Sequence, residues 1–179
     1  MAWRALIAAV ALAACAPEGG VTTADNAGAE APGYALEVFA HDQEQIYLVS
    51  HSDGRAAAAR AMGETSEVLT PEVARGLLTE RQAALGADQG EEVVGLRAPG
   101  FSLSIKGDEK GAEGEEGAVQ IAVNTGGGSM TIDARDEGEN DRARVRFTGA
   151  DEATARDFIN DAEELSPEVK AAMLASLGL

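Results

Sequence analysis

Four stretches in the second half of the chain alternate strictly between apolar and polar residues. Phe101, Leu103 and Ile105 alternate with Ser102, Ser104 and Lys106, and Val119, Ile121 and Val123 alternate with Gln120 and Ala122. Met130, Ile132 and Ala134 alternate with Thr131, Asp133 and Arg135, and Ala143, Val145 and Phe147 alternate with Arg142, Arg144 and Arg146. Successive side chains of a strand point to opposite faces. Each stretch therefore reads as a strand with one dry and one wet face. That pattern belongs to antiparallel sheets, because parallel strands are covered on both faces and read as nearly continuous apolar runs. The connections are short or rich in glycine, as at Gly126-Gly127-Gly128 and residues 136–141. The region around Val93-Val94 adds a further strand before Pro99-Gly100.

The folded part begins near Gly33. Leu36, Val38 and Ala40 alternate with Ala35, Glu37 and Phe39, and Ile46 and Leu48 alternate with Tyr47 and Val49. A loop of three or five residues around Asp42-Gln43-Glu44 would put Leu36, Val38 and Ala40 on one face with Ile46 and Leu48. Asp53-Gly54 is a two-residue hairpin signal, since both residues tolerate positive φ. Ala56 to Met62 has helix propensity but is short for an independent helix, so a third strand is the reading preferred, with a helix as the alternative.

Thr70-Pro71-Glu72-Val73 starts a helix: a capping threonine, proline at the first position and an acid near the positive end of the dipole. Ala74, Leu77, Leu78 and Leu85 form its apolar stripe, and Gly86 ends it. Thr148-Gly149-Ala150-Asp151 has the form of a capping box ahead of Ala155, Phe158, Ile159 and Ala162. Ser166-Pro167-Glu168-Val169 starts a last helix carrying Val169, Met173 and Leu177. The expected fold is α+β, an antiparallel β-sheet of about six to seven strands with roughly three helices packed on one face.

Fourteen basic residues against 31 acidic ones leave a net charge of −17. Nucleic acid calls for clustered Lys and Arg, so it is excluded as a partner. An anionic lipid surface would repel the domain as a whole.

The N-terminus has its own character. Arg4 precedes a ten-residue apolar stretch, Ala5 to Ala14, which ends in Leu12-Ala13-Ala14-Cys15. A spanning helix needs roughly 17–25 apolar residues, so the stretch has signal-peptide rather than membrane-span length. Cys15 is the chain's only cysteine, which leaves no disulfide to form. The run resembles the lipobox of bacterial lipoproteins. The resemblance covers residues 1–15 and implies cleavage before Cys15, which then carries a diacylglyceryl group on sulfur and a third acyl chain on its amine. Stable anchoring takes two lipid signals, which three chains exceed. The membrane is thus the implied partner through Cys15, and the implied location is periplasmic. Ala16, where an Asp would signal inner-membrane retention in enteric-type sorting, favours the outer membrane. Residues 1–14 are then the leader and 33–179 a single domain. Residues 15–32 hold the lipidated cysteine and a tether rich in Ala, Gly, Thr and Pro. At about 3.3–3.6 Å per residue the tether reaches roughly 55–60 Å at full stretch.

Motifs for chemistry are thin. His41 and His51 fall at opposite ends of the first hairpin, roughly 20 Å apart, too far to share a metal ion. Ser50-His51-Ser52-Asp53 holds the residue types of a hydrolase triad, but neighbouring strand residues point apart, and triads are assembled from distant segments. The acidic stretches at 108–116 and 136–141 lack the spacing of a calcium-binding loop. The glycine run at 126–128 lacks the Lys and Ser/Thr of a phosphate loop. No catalytic residue, metal ligand or cofactor is assigned. The feature that stands out in so acidic a chain is Arg142, Arg144 and Arg146, three cations on one strand face. In a closed hairpin Arg144 lies opposite Asp133 and Arg142 opposite Arg135, so cross-strand ion pairing is one reading and an anion-binding strip the other. The expected function is that of a membrane-anchored envelope lipoprotein with a non-catalytic acidic domain, acting on an envelope protein partner. Binding of a small ligand, an anion or a divalent metal is the alternative, and an envelope hydrolase stands behind both.

Overall fold

The computed structural model describes residues 33–85, 91–98, 100–107, 117–136 and 141–179. The leader, Cys15, the tether and Gly86 lie outside the described residues, as do the acidic segments 108–116 and 137–140.

Nine strands form one antiparallel sheet, two or three more than expected. They are β1 (Tyr34–His41), β2 (Glu44–His51), β3 (Ala56–Met62), β4 (Thr65–Leu69), β5 (Glu91–Ala98), β6 (Phe101–Gly107), β7 (Gly117–Thr125), β8 (Gly128–Asp136) and β9 (Arg142–Ala150). Their order across the sheet is β4-β3-β2-β1-β9-β8-β7-β6-β5. Among the described residues three helices accompany them: α1 (Pro71–Leu85), α2 (Glu152–Asn160) and α3 (Pro167–Leu177). The added strands include β4, where Gly63 at φ +57° turns the chain back after Met62.

The first hairpin turns more tightly than its residues suggested. His41 pairs with Glu44 across a two-residue turn at Asp42-Gln43, with Asp42 at φ +52°. The register therefore sets Leu36 against Val49 and Val38 against Tyr47, while Phe39 faces Ile46. The expected sharing of a face between Leu36, Val38 and Ala40 and Ile46 and Leu48 is overturned, because a one-residue change in turn length exchanges the faces of a whole strand.

The helices do not share one face either. Leu36, Tyr47, Val49, Ala57 and Ala59 pack with Ile159, Val169, Met173 and Leu177 of α2 and α3. Phe39, Ile46, Leu48 and Ala58, on the alternate positions of the same strands, pack with Ala74, Leu78 and Leu85 of α1. The sheet is thus sandwiched over β1, β2 and β3. Ile46 to Val49 are all buried, as are Ala57 to Ala59. These are continuous apolar runs of the kind that signal cover on both faces. Among the described residues no helix is long and apolar enough to cross a membrane.

The strands converge at one end through a close backbone approach. Tyr34 pairs with Ala150 but Ala35 with Thr148, which leaves Gly149 as a bulge at φ +83°. A Cβ at Gly149 would run into the carbonyl oxygen of Gly127. The chain then turns into α2 through Asp151, whose carboxylate accepts the Thr154 backbone N–H at 2.8 Å. The expected box beginning at Thr148 is therefore replaced by a cap at Asp151, because Thr148 is still in the β9 ladder. Ser166 caps α3 as expected, and Gly178 closes it in the left-handed conformation.

Candidate functional site

The face of β1, β2 and β9 that lies toward α1 is not filled at its Gly33 end. A cleft of about 480 Å³ lies there, between the sheet and the exposed flank of α1 that carries Arg75. Ligand pockets run from about 300 to 1,000 Å³ and are mostly apolar; this one is polar. Ala35 and Glu37 of β1, Leu48 and Ser50 of β2, Arg144 and Arg146 of β9, Arg75 of α1 and the turn residues His51, Ser52 and Gly54 line it.

Each charged group reaches the cleft for a local reason. Arg144 and Arg146 occupy the alternate positions of β9 that share a face with Glu37, which pairs with Arg146 in register. Glu37 is 8% exposed and its carboxylate accepts the Arg144 Nε–H at 2.7 Å. The Arg144 Nη2 stands 2.6 Å from the same oxygen, and the Arg146 Nε lies 4.0 Å from the other. Arg75 follows Ala74, which is fully buried against the sheet, and is itself exposed at the border of the cleft. Thr70 begins that helix through its hydroxyl, which accepts the Val73 N–H at 3.4 Å. Arg75 is exposed and makes no ion pair among the described residues. Among the described residues that line the cleft, Arg75, Arg144 and Arg146 are the cations and Glu37 the acid, in a chain of net charge −17.

The β2–β3 turn forms the outer wall. The Asp53 N–H donates to His51 Nδ1 at 3.3 Å, and the Asp53 Oδ1 stands 2.9 Å from the same nitrogen. Nδ1 accepts the first contact where it carries no hydrogen and donates in the second where it does. The Arg55 backbone N–H, with His51 beside it, holds the Asp53 carboxyl well below the usual carboxylate range. His51 also lies against Tyr34, with ring centroids 4.5 Å apart. Among the described residues no serine hydroxyl hydrogen-bonds His51, and no three His, Cys, Asp or Glu side chains group as for a metal ion.

Of the three arginines singled out from the sequence, Arg144 and Arg146 reach the cleft. Arg142 lies toward the other end of β9, opposite His41 and Arg135. The expected pairings of Arg144 with Asp133 and of Arg142 with Arg135 hold in register. Arg144 nevertheless takes its buried ion pair from the other neighbouring strand, from Glu37. His41 and His51 stand at opposite ends of the first hairpin, as expected. Sequence reading missed Glu37, Arg75 and the closeness of His51 to Asp53. A lone acid in Leu36-Glu37-Val38-Phe39 was a usable signal, since a charge in so apolar a strand needs a partner. Arg75 carried none. Cys15 lies outside the described residues.

Chemically the cleft can hold an anion by charge-assisted hydrogen bonds from guanidinium groups, with serine hydroxyls at its border. Compared with protein-family models, curated proteins and solved structures, the chain matches none of them.

Proposed function

We propose that this chain is a bacterial envelope lipoprotein, held at a membrane through acylated Cys15, whose domain binds a small hydrophilic anion without transforming it. The run Leu12-Ala13-Ala14-Cys15 supports the anchor, and Ala16 supports the outer membrane. The observation that carries the binding function is the polar cleft lined by Arg75, Arg144 and Arg146 together with Glu37. Glu37 neutralises Arg144 and fixes it in place, so Arg75, which is exposed, is the cation that meets the ligand first, with Arg146 beside it.

Thermal melting of the acylated protein in detergent, with inorganic phosphate or citrate, tests the reading. A ligand that binds only the native state raises stability by mass action. The melting temperature should rise and saturate with one of these anions, and not with chloride at equal ionic strength. Arg75→Gln combined with Arg146→Gln should weaken the apparent affinity by about tenfold or more, as expected for loss of charge-assisted hydrogen bonds. No rise beyond that seen with chloride ends the proposal.

A further inference from the structure

The second half of the sheet is bare where the first is covered. Among the described residues none of β5 or β6 joins either core cluster, and β7 contributes Ala118 at the margin of the one beneath α1. On the face shared with α2 and α3, these strands present Leu103, Ile105, Ile121 and Ile132 in facing rows, all partly exposed. Leu96 and Phe101, at the edge of the same face, are 54% and 37% exposed. The alternate positions on the reverse face are Ser102, Ser104, Gln120 and Thr131. One side of this half is thus apolar and continuous with the core beneath α2 and α3, and nothing among the described residues packs on it.

We infer that this apolar face holds an acyl chain of a membrane phospholipid. Two observations choose that occupant over a second copy of the chain. The patch spans four strands about 4.8 Å apart and roughly 25 Å long, on the order of 400–500 Å². A stable protein interface takes about 800 Å² from each partner, so a dimer on this patch is undersized. Two chains of net charge −17 also repel each other, whereas an acyl chain carries no charge. Length suits the lipid, because one leaflet is about 15 Å deep, within the reach of these strands.

The charge pattern sets the direction of entry. At the Gly33 end the strands are joined through Ala98 to Phe101 and through Thr125 to Gly128, stretches without a charged residue. At the other end β5 begins with Glu91 and Glu92, and β8 ends at Asp136. A phospholipid headgroup is anionic at its phosphate, so the chain enters from the neutral end. That is also the end at which the tether to Cys15 joins the domain.

The inference uses the proposed anchor only to bring the domain to lipid, and it is independent of the arginine cleft. It is tested with the full acylated chain in phosphatidylcholine vesicles doped with phosphatidylcholine bearing a diazirine in its acyl chain. Crosslinked peptides are mapped by mass spectrometry, and the intact mass reports acylation of Cys15. Crosslinks should concentrate on β5, β6 and β7. Leu96→Gln combined with Phe101→Gln should lower them about tenfold or more, as expected for loss of two apolar contacts, with the melting temperature unchanged. Crosslinks absent, or confined to residues 15–32, overturn the inference. Protein–protein crosslinks between copies through the same strands overturn it in favour of a dimer. Acylation without crosslinks on this face leaves the lipoprotein reading standing, and crosslinks without acylation leave the lipid face standing.

Discussion

The two halves of the sheet obey the same alternation but end in different environments. In β1, β2 and β3 both faces are covered, one by α1 and the other by α2 and α3. In β5, β6 and β7 the described helices cover neither face to any depth. The first half reaches complete burial: Phe39, Ile46, Val49, Ala58 and Ala59 are fully buried. In the second half Ile105, Val119, Ile121, Val123 and Ile132 are only partly shielded. A sheet this wide has more face than three short helices can cover. The stability of the molecule is therefore concentrated in the covered half, while the apolar surface available for other work lies in the bare half.

The largest expected effect separates the halves directly. Phe39→Ala empties a fully enclosed site beneath α1 and should cost about 3–5 kcal/mol. Leu103→Ala removes a side chain already partly in water and should cost about 1 kcal/mol. Urea denaturation of both variants measures the contrast. Equal costs would mean that the second half is covered in solution, and the comparison would fail.

Next in size is the point where the halves join. Gly149→Ala places a Cβ against the Gly127 carbonyl at a residue with φ +83°. The strained backbone and the overlap together should cost about 2 kcal/mol or more. A fall in melting temperature that leaves α2 and α3 helical by circular dichroism would locate the damage at the junction. An unchanged melting temperature would show that β7 and β8 do not lean on β9 as closely as drawn.

The smallest effect lies at the entry to α2. The Thr154 backbone N–H, and then its hydroxyl, hold the Asp151 carboxyl below its usual range. A carboxyl whose folded value is depressed contributes stability above its unfolded value, near pH 4, and loses it as pH falls through the folded value. Asp151→Ala should cost about 1 kcal/mol at neutral pH and flatten the loss of stability below about pH 4. Melting curves at pH 7 and at pH 3 check both parts, and an equal acid slope in the variant would remove Asp151 from the account.

How far the sequence could be read depended on whether a residue's environment was local. The starts of α1 and α3 were legible because Thr70-Pro71 and Ser166-Pro167 satisfy helix ends from within the chain. Val169, Met173 and Leu177 were legible as a buried stripe for the same reason. The turn at Asp42-Gln43 was misread, because two-residue and three-residue loops fit the same residues and only the packed register tells them apart. The site was legible in part. Arg144 and Arg146 stood out as cations on a strand face, but Glu37 and Arg75 come from segments far away in sequence.

The sequence by itself determined the alternating strands, the capped helices, the acidic balance and the lipobox-like run ending at Cys15. Each follows from neighbouring residues, through period-two side-chain geometry, cap hydrogen bonds or a short motif. Only the tertiary structure decided that β9 lies beside β1, that the helices divide between the two faces and that Arg75 meets Glu37, Arg144 and Arg146 across a cleft. Those outcomes depend on which apolar faces find each other across long separations, and no local pattern carries that information.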